Sequence, residues 1–369
     1  MRLCVPTTDD RELAEIAEVL ASGYLTQGAK VQEFERLVRD FVGARHVFAT
    51  SSGTTALHLA LAALGVGPGD EVLVSDFTFP ASANVVVQQG AVPVFVDIDL
   101  ETFTMDPADL ETKVTPRSKA VMPVHAFGCA ADMHAINRVA TRHRLAVVED
   151  GACALGTTYK GRACGTLGTV GCFSFHPRKV ITTGEGGMVT TGDDALAERI
   201  QLLRSHGGVR DGYWFRYEAA GYNYRLSDVL GAIGVAQMEK LDAILRRRRT
   251  LAEGLRRRLA DVPELHPPTE PTWGGHIYQS FVVLLDERLD RDRLVGDLRE
   301  QDIETTLGTY ALHDQPFFQR QYGYAPGQLP ASHVAFTRSL TLPLYPQMEE
   351  EDLDTLVQAV KDTVAAQKE

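Results

Sequence analysis

HVFATSSGTTALHLALAALGVGPGDEVLVS, residues 46–75, decides the fold. A five-residue apolar strand runs into a Ser-Ser-Gly turn, then a helical stretch, then Gly and Pro punctuation before a second apolar strand, EVLVS. Strand, helix and strand in about thirty residues is the unit of a parallel sheet, because parallel neighbours need a crossover long enough to hold a helix.

The same alternation continues to residue 191 through NVVVQQG, VPVFVDI, a helix from Pro107, KAVMPVHAF, DMHAINRVATRHR, LAVVED, GCFSF and GMVTT. It predicts a mostly parallel sheet with helices on both faces. Upstream, residues 9–22 and 29–42 read as amphipathic helices joined by YLTQG, with Gly28 near the second start. Downstream come a helix, DALAERIQLLRSHG, an aromatic-rich loop, DGYWFRYEAAGYNYR, and a long helix from about 227 to 259. A chain of 369 residues is too long for one ordinary core. Composition shifts at the Pro-rich ADVPELHPPTEPTWGG, so the expected division is a large α/β domain, 1–245, and a small α+β domain, 246–369, parting within the long helix. Strand IYQSFVVLL, helix DRDRLVGDLREQ, strand DIETTL and helix EEEDLDTLVQAVKDTV would build the small domain.

A net charge of -12 opposes binding to nucleic acid or an anionic membrane. Arg246–Arg249 and Arg256–Arg258 are the exception, and their helical spacing with interleaved Leu reads as a solvated helix face that also packs on the body. Five cysteines, at 4, 129, 153, 164 and 172, show no CxxC pairing, so neither a disulfide framework nor a metal site is expected. The N-terminal stretch has no signal-like apolar segment, and no run reaches the roughly 18 apolar residues of a membrane span. A reducing cytoplasm is the expected location.

Three stretches carry chemistry, each where a strand of an open α/β sheet ends, the place such sheets bind ligands. The turn through Ser51, Ser52 and Gly53 into a helix at Thr54 makes a cup of free amides at the positive end of a helix dipole, suited to phosphate. In LAVVEDGACALG an apolar strand runs into Glu149 and Asp150. A buried carboxylate there is costly without a cation, and a protonated pyridine nitrogen would serve; a helix cap or an ion pair with Lys or Arg satisfies the same residues. In GCFSFHPRKVITTGEGG, Lys179 follows the strand and Ser174 lies five residues before it. An amine that condenses with an aldehyde must spend time unprotonated, which a low-dielectric or cationic neighbourhood favours. Alone, Lys179 reads as a solvated loop lysine, and the combination of the three stretches carries the case.

SSGTTALHLALAALGVGPGDEV, VFVDID, VEDGACALG, FSFHPRKVITTGEGGMV and GYNYRLSDVLGAIGVAQMEKLD, in this order and spacing, resemble the DegT/DnrJ/EryC1/StrS family of sugar aminotransferases. The resemblance runs from about residue 10 to LPLYP near 343. It implies the fold-type I, aspartate aminotransferase-like architecture, pyridoxal 5'-phosphate (PLP) as cofactor, and a homodimer with shared active sites. It also implies a keto-sugar substrate, nucleotide-linked and of the 3- or 4-keto-6-deoxy kind, with glutamate or glutamine as amino donor.

Carried over by position, Lys179 is the Schiff-base lysine and Asp150 the partner of the pyridine nitrogen. Gly53, Thr54 and Ser174 meet the phosphate, Phe79 stacks on the ring, and Asn223, with Arg225 as a second candidate, reaches the phosphate from the partner subunit. Cys153 departs from the family, which often has Gln or His near the cofactor's phenolic oxygen; a thiol is a weak donor. Substrate contacts are expected among His176, Tyr213, Trp214, Arg216, His276, Tyr278 and His313. Three competing readings are a cyclitol-ketone aminotransferase, a PLP-dependent sugar dehydratase and a regulatory PLP-binding protein. Lys179 counts against the dehydratase, whose relatives have His there, and the intact Lys179, Asp150 and Ser174 count against lost turnover.

Overall fold

The computed structural model describes residues 1–368. The chain begins with α1 (Asp10–Ser22), started by a capping box between Asp9 and Glu12, and α2 (Ala29–Val42), whose N-cap is Gly28. Then follow β1 (His46–Thr50), α3 (Gly53–Ala63), β2 (Glu71–Ser75), β3 (Phe77–Thr78), α4 (Ala81–Gln88) and β4 (Val92–Val96). Next come α5 (Pro107–Lys113), β5 (Ser118–Met122), α6 (Met133–His143), β6 (Ala146–Asp150), the short pair β7 (Thr158–Tyr159) and β8 (Arg162–Ala163), β9 (Val170–Ser174), β10 (Gly187–Thr191) and α7 (Asp194–Arg204).

Seven strands form the central sheet in the order β1-β10-β9-β6-β5-β2-β4. All neighbours are parallel except around β10, which runs antiparallel to both β1 and β9. Two antiparallel steps restore direction, so β1 points the same way as β9, β6 and β2. Their carboxyl ends therefore share one edge, which collects the turn at Gly53, Ser174 with its following loop, Asp150, and the segment to Phe79. The strands are apolar because helices cover both faces: every residue of β2 and β10 is buried, as are eight of the eleven in α3.

The aromatic-rich stretch forms a hairpin rather than a loop, β11 (Gly208–Asp211) paired with β12 (Trp214–Tyr217). A two-residue turn, Gly212–Tyr213 with Gly212 at φ 62°, joins the strands as a tight hairpin requires. The long helix α8 (Asp228–Arg258) is continuous. From Leu251 onward its apolar face packs on β13 (Leu265–His266), β14 (Phe281–Leu285) and α9 (Arg291–Glu300). The rest of the chain supplies β15 (Tyr310–Ala311), α10 (Pro316–Tyr322), α11 (Pro330–Arg338), β16 (Ser339–Leu342) and α12 (Glu350–Ala366). The stretch from β15 to α11 leans on the central sheet: β15 pairs with β3, and Leu312, Phe318 and Leu329 join the core around α3.

DIETTL is not a strand. It makes one bridge, Thr306 to Thr341, because Asp302 turns through the left-handed region (φ 58°) and the Glu304 amide bonds Met1 instead of a sheet neighbour. The arginine-rich run of α8 packs on the body as its spacing predicts. Arg248 is buried and donates to the Tyr278 and Gln279 carbonyls, and Arg247 reaches Pro346 and Met348. All five cysteines are free thiols. Among the described residues no helix is long and apolar enough to cross a membrane.

Candidate active site

At the end of β1 the chain makes its cup. Ser52 caps α3 by accepting from the Thr55 amide, while the Thr55 hydroxyl accepts from the Ser52 amide. These bonds leave the Gly53 and Thr54 amides without an acceptor among the described residues, at the positive end of the helix. Gly53 is required there, since a Cβ would fall 2.7 Å from the Ser174 Cβ. The close approach sets the half-buried Ser174 hydroxyl beside the helix start. Two free amides and a hydroxyl at a helix N-terminus offer donors suited to a phosphate.

Asp150 ends β6 and is 4% exposed. Its Oδ1 accepts from the Ala152 amide (3.1 Å) and its Oδ2 from the Ser82 hydroxyl (2.7 Å). Among the described residues no Lys, Arg or His lies within ion-pair distance, so the ion-pair alternative left open by the sequence finds no partner. A buried carboxylate without a counter-charge costs several kcal/mol, which makes Asp150 a ready receiver for a cationic ring nitrogen. Glu149 serves structure instead. On the opposite face of β6 it accepts from the amides of Gly165, Leu167 and Gly168 and meets His125 Nε2 at 3.0 Å. His125, Glu149 and Cys164 form a buried trio of metal-ligating types. His125 Nδ1 already accepts from the Ala131 amide and Nε2 faces Glu149, so no imidazole lone pair remains for an ion.

Lys179 follows β9 in a loop closed by its own amide on the His176 carbonyl (2.8 Å) and by Gln279 Nε2 on the Arg178 carbonyl (2.7 Å). Its Nζ lies 3.1 Å from Cys153 Sγ. The half-buried thiol thus meets the amine directly. Phe79, past the end of β3, is 66% exposed, so a flat apolar face stands free at the same edge.

Other candidates divide sharply. His176 is half-buried beside Lys179, its Nδ1 accepts from the Arg178 amide, and burial lowers its pKa. Asn223 is exposed and its backbone bridges Ser205, while Arg225 donates to the Ser205 hydroxyl at 2.9 Å. Tyr213, Trp214 and Arg216 lie on the exposed hairpin. His276, Tyr278 and His313 are corrections to the expected substrate contacts. His276 is buried, its ring stacks 4.1 Å from Tyr278, its Nδ1 accepts the Tyr278 amide, and burial pulls its pKa down to about 3. Tyr278 is equally buried; burial and its bond to Glu270 (2.6 Å) push the phenol up. His313 is fully enclosed between Asp76 (2.6 Å) and Asp314 (3.3 Å), and although burial opposes its charge those carboxylates raise its pKa. All three side chains are buried, and the Tyr278 hydroxyl and both His313 ring nitrogens are committed to partners within the chain.

Sequence reasoning missed Thr78 and Ser82, two buried hydroxyls at the Asp150 carboxylate. Their spacing of four across a Pro80 helix start, in TFPAS, was the available signal. It also missed the stacked pair Tyr222 and Tyr224, which faces His58 under α3.

A mostly parallel sheet with an amide cup, an unpaired buried carboxylate and a loop lysine along one carboxyl edge defines the class of fold-type I PLP-dependent aminotransferases. Within that class the chain belongs to the DegT/DnrJ/EryC1/StrS aminotransferase family, whose model matches residues 6–361. It is a sugar aminotransferase of that family. It is 40% identical to the spore coat polysaccharide biosynthesis protein SpsC of Bacillus subtilis over 98% of this chain and 96% of that protein. It is 39% identical to GDP-perosamine synthase of Caulobacter vibrioides over 97% and 96%. Among solved structures, Spr1654 from Streptococcus pneumoniae, known in PMP and PLP forms, superposes with a TM-score of 0.95 at 26% identity; its PMP form is matched over all of both chains.

Proposed function

We propose that this chain binds PLP through Lys179 and transfers an amino group from glutamate or glutamine to a nucleotide-linked keto-sugar of the 3- or 4-keto-6-deoxy kind. The observation that carries this reading is the buried, cation-free Asp150 on the same sheet edge as Lys179 and the Gly53–Ser174 cup. When bound, the cofactor supplies an electron sink for the carbon that loses its proton. Asp150 would hold the ring nitrogen, the Gly53 and Thr54 amides with Ser174 the phosphate, and Phe79 the ring face. Lys179 Nζ anchors the cofactor, then takes the proton from the donor α-carbon and returns one to the sugar carbon that gains the amine. Cys153, whose Sγ lies against Nζ, would stand near the phenolic oxygen.

A cavity of about 550 Å³ supports the nucleotide-linked substrate. It borders the Lys179 loop at Pro177 and Arg178; Arg2, Arg178 and Arg299, for which no ion pair is found among the described residues, outnumber the one carboxylate in its lining, Glu304. Unpaired guanidiniums in a chain of net charge -12 suit a diphosphate. The family reading adds a homodimer in which the partner copy brings Asn223 and Arg225 to the site; the exposed Tyr213, Trp214, Phe215 and Tyr217 give such a partner an apolar surface to cover. The division near residue 245 rests on the separate apolar cluster that begins at Leu251.

The test is a spectrum of the purified protein with PLP, followed by glutamate, glutamine and a panel of nucleotide-linked 3-keto and 4-keto sugars. A visible band that a donor bleaches and a keto-sugar restores, with an amino-sugar product, is expected. A protein that shows no such band after reconstitution contradicts the reading.

A further inference from the structure

Asp150 does not stand alone at the end of β6. Ser82 Oγ lies 2.7 Å from its Oδ2 and 3.0 Å from Thr78 Oγ1, and the three residues are 4%, 1% and 3% exposed for Asp150, Ser82 and Thr78. A hydroxyl has one proton to give. A carboxylate only accepts, so the Ser82 proton goes to Asp150, and the Thr78 proton must then go to Ser82. The bond direction is fixed from Thr78 through Ser82 to Asp150, and the longer approach of Ser82 Oγ to the Phe79 carbonyl (3.3 Å) is left without a proton. The Ala152 amide holds the other oxygen, Oδ1. Between them the two donors fix both the position and the rotation of the carboxylate plane.

The anchors of this relay come from different parts of the fold. Thr78 sits in β3, whose partner Tyr310 belongs to β15, and Ser82 is the second residue of α4, in the first turn after Phe79 and Pro80. One buried hydroxyl thus ties the segment that presents Phe79 to the carboxylate on β6, the two groups assigned above to the face and the nitrogen of one ring.

We propose that Ser82 is a positioning residue for Asp150, with Thr78 acting through it, so that the Thr78–Ser82–Asp150 relay sets the aim of the carboxylate at the cofactor ring nitrogen. The proposal rests on the cofactor reading given above. Groups that orient a charged ligand from behind are often worth about ten- to a hundredfold in the property they tune, and this relay belongs at the lower end because Ala152 remains.

The experiment compares wild type with S82A, T78V, T78S, S82A/T78V and D150N. Each is titrated with PLP, scored for the position of the visible band and for cofactor dissociation, then mixed with glutamate or glutamine to obtain the saturating rate of bleaching and the half-saturating donor concentration. S82A is expected to weaken PLP retention and slow the saturating rate by about tenfold while the half-saturating concentration moves less than about twofold. T78V is expected to lose about threefold and T78S to recover it, and the double variant to match S82A, since Thr78 has no route to Asp150 once Ser82 is gone. Unchanged band and rate in S82A, with D150N altering both, overturns the relay alone, as does T78V loss that multiplies with that of S82A. Wild type without a PLP band overturns the cofactor reading together with it. Should S82A melt before assay, the T78V and T78S pair decides by the same readouts.

Discussion

Two regions of this molecule face opposite problems. The carboxyl edge of the central sheet gathers polar groups that one chain holds in place: Asp150 by Ala152 and Ser82, Gly53 by the cap of Ser52 and Thr55, Lys179 by a loop closed at both ends. The β11–β12 hairpin presents Tyr213 at 94% and Trp214 at 80% exposure, with Arg216 paired to Asp211 and Glu218. Under the proposed function, the first region fixes its groups before any ligand arrives. The second is ordered backbone with uncovered aromatic side chains, which a monomer gains nothing by exposing.

If the edge is where the reaction runs, its variants fail in proportion to their distance from the reacting atoms. Lys179→Ala is expected to reduce transamination by more than about a thousandfold, because both anchor and proton carrier vanish; residual turnover is read in a coupled donor assay. Asp150→Asn keeps the shape and removes the charge, and a loss of roughly a hundredfold in kcat with unaltered melting would match its role at the ring nitrogen. If the hairpin is a contact surface, Trp214→Ala should shift sedimentation toward monomer and weaken association by about tenfold, and an unchanged dimer would remove the hairpin from the interface.

The smallest expected effect concerns a corrected residue. His276 is buried with its pKa pulled down to about 3, while the unfolded chain has an ordinary histidine near 6.5. Between those values the unfolded state binds the extra proton, so this contribution to stability is present above about pH 6.5 and is lost as pH falls toward 3. The loss is about 1.4 kcal/mol per pH unit in that window. His276→Asn, which keeps an acceptor for the Tyr278 amide, should flatten the acid side of a plot of melting temperature against pH; an identical slope would show that the ring is not held neutral.

The edge was legible because its residues sit in order along local motifs, and a strand followed by a turn places them without knowledge of distant contacts. Gly53, Ser174 and Lys179 follow from that logic, as does the parallel sheet. His276, Tyr278 and His313 were misplaced because composition shows a polar or aromatic ring but not its burial, which depends on packing with α8, Asp76 and Asp314. DIETTL failed as a strand for a similar reason: its β propensity lost to a backbone bond with the first residues of the chain. Thr78 and Ser82 went unread because their value depends on reaching Asp150, 68 residues from Ser82.

The central claim is that Lys179 bonds the cofactor. Reconstitution with PLP, reduction by borohydride and peptide mass mapping test it most directly. A phosphopyridoxyl adduct on the peptide containing Lys179, near one per chain and absent from Lys179→Ala, is the predicted result. An unlabelled Lys179 peptide, or label spread over other lysines, would contradict it.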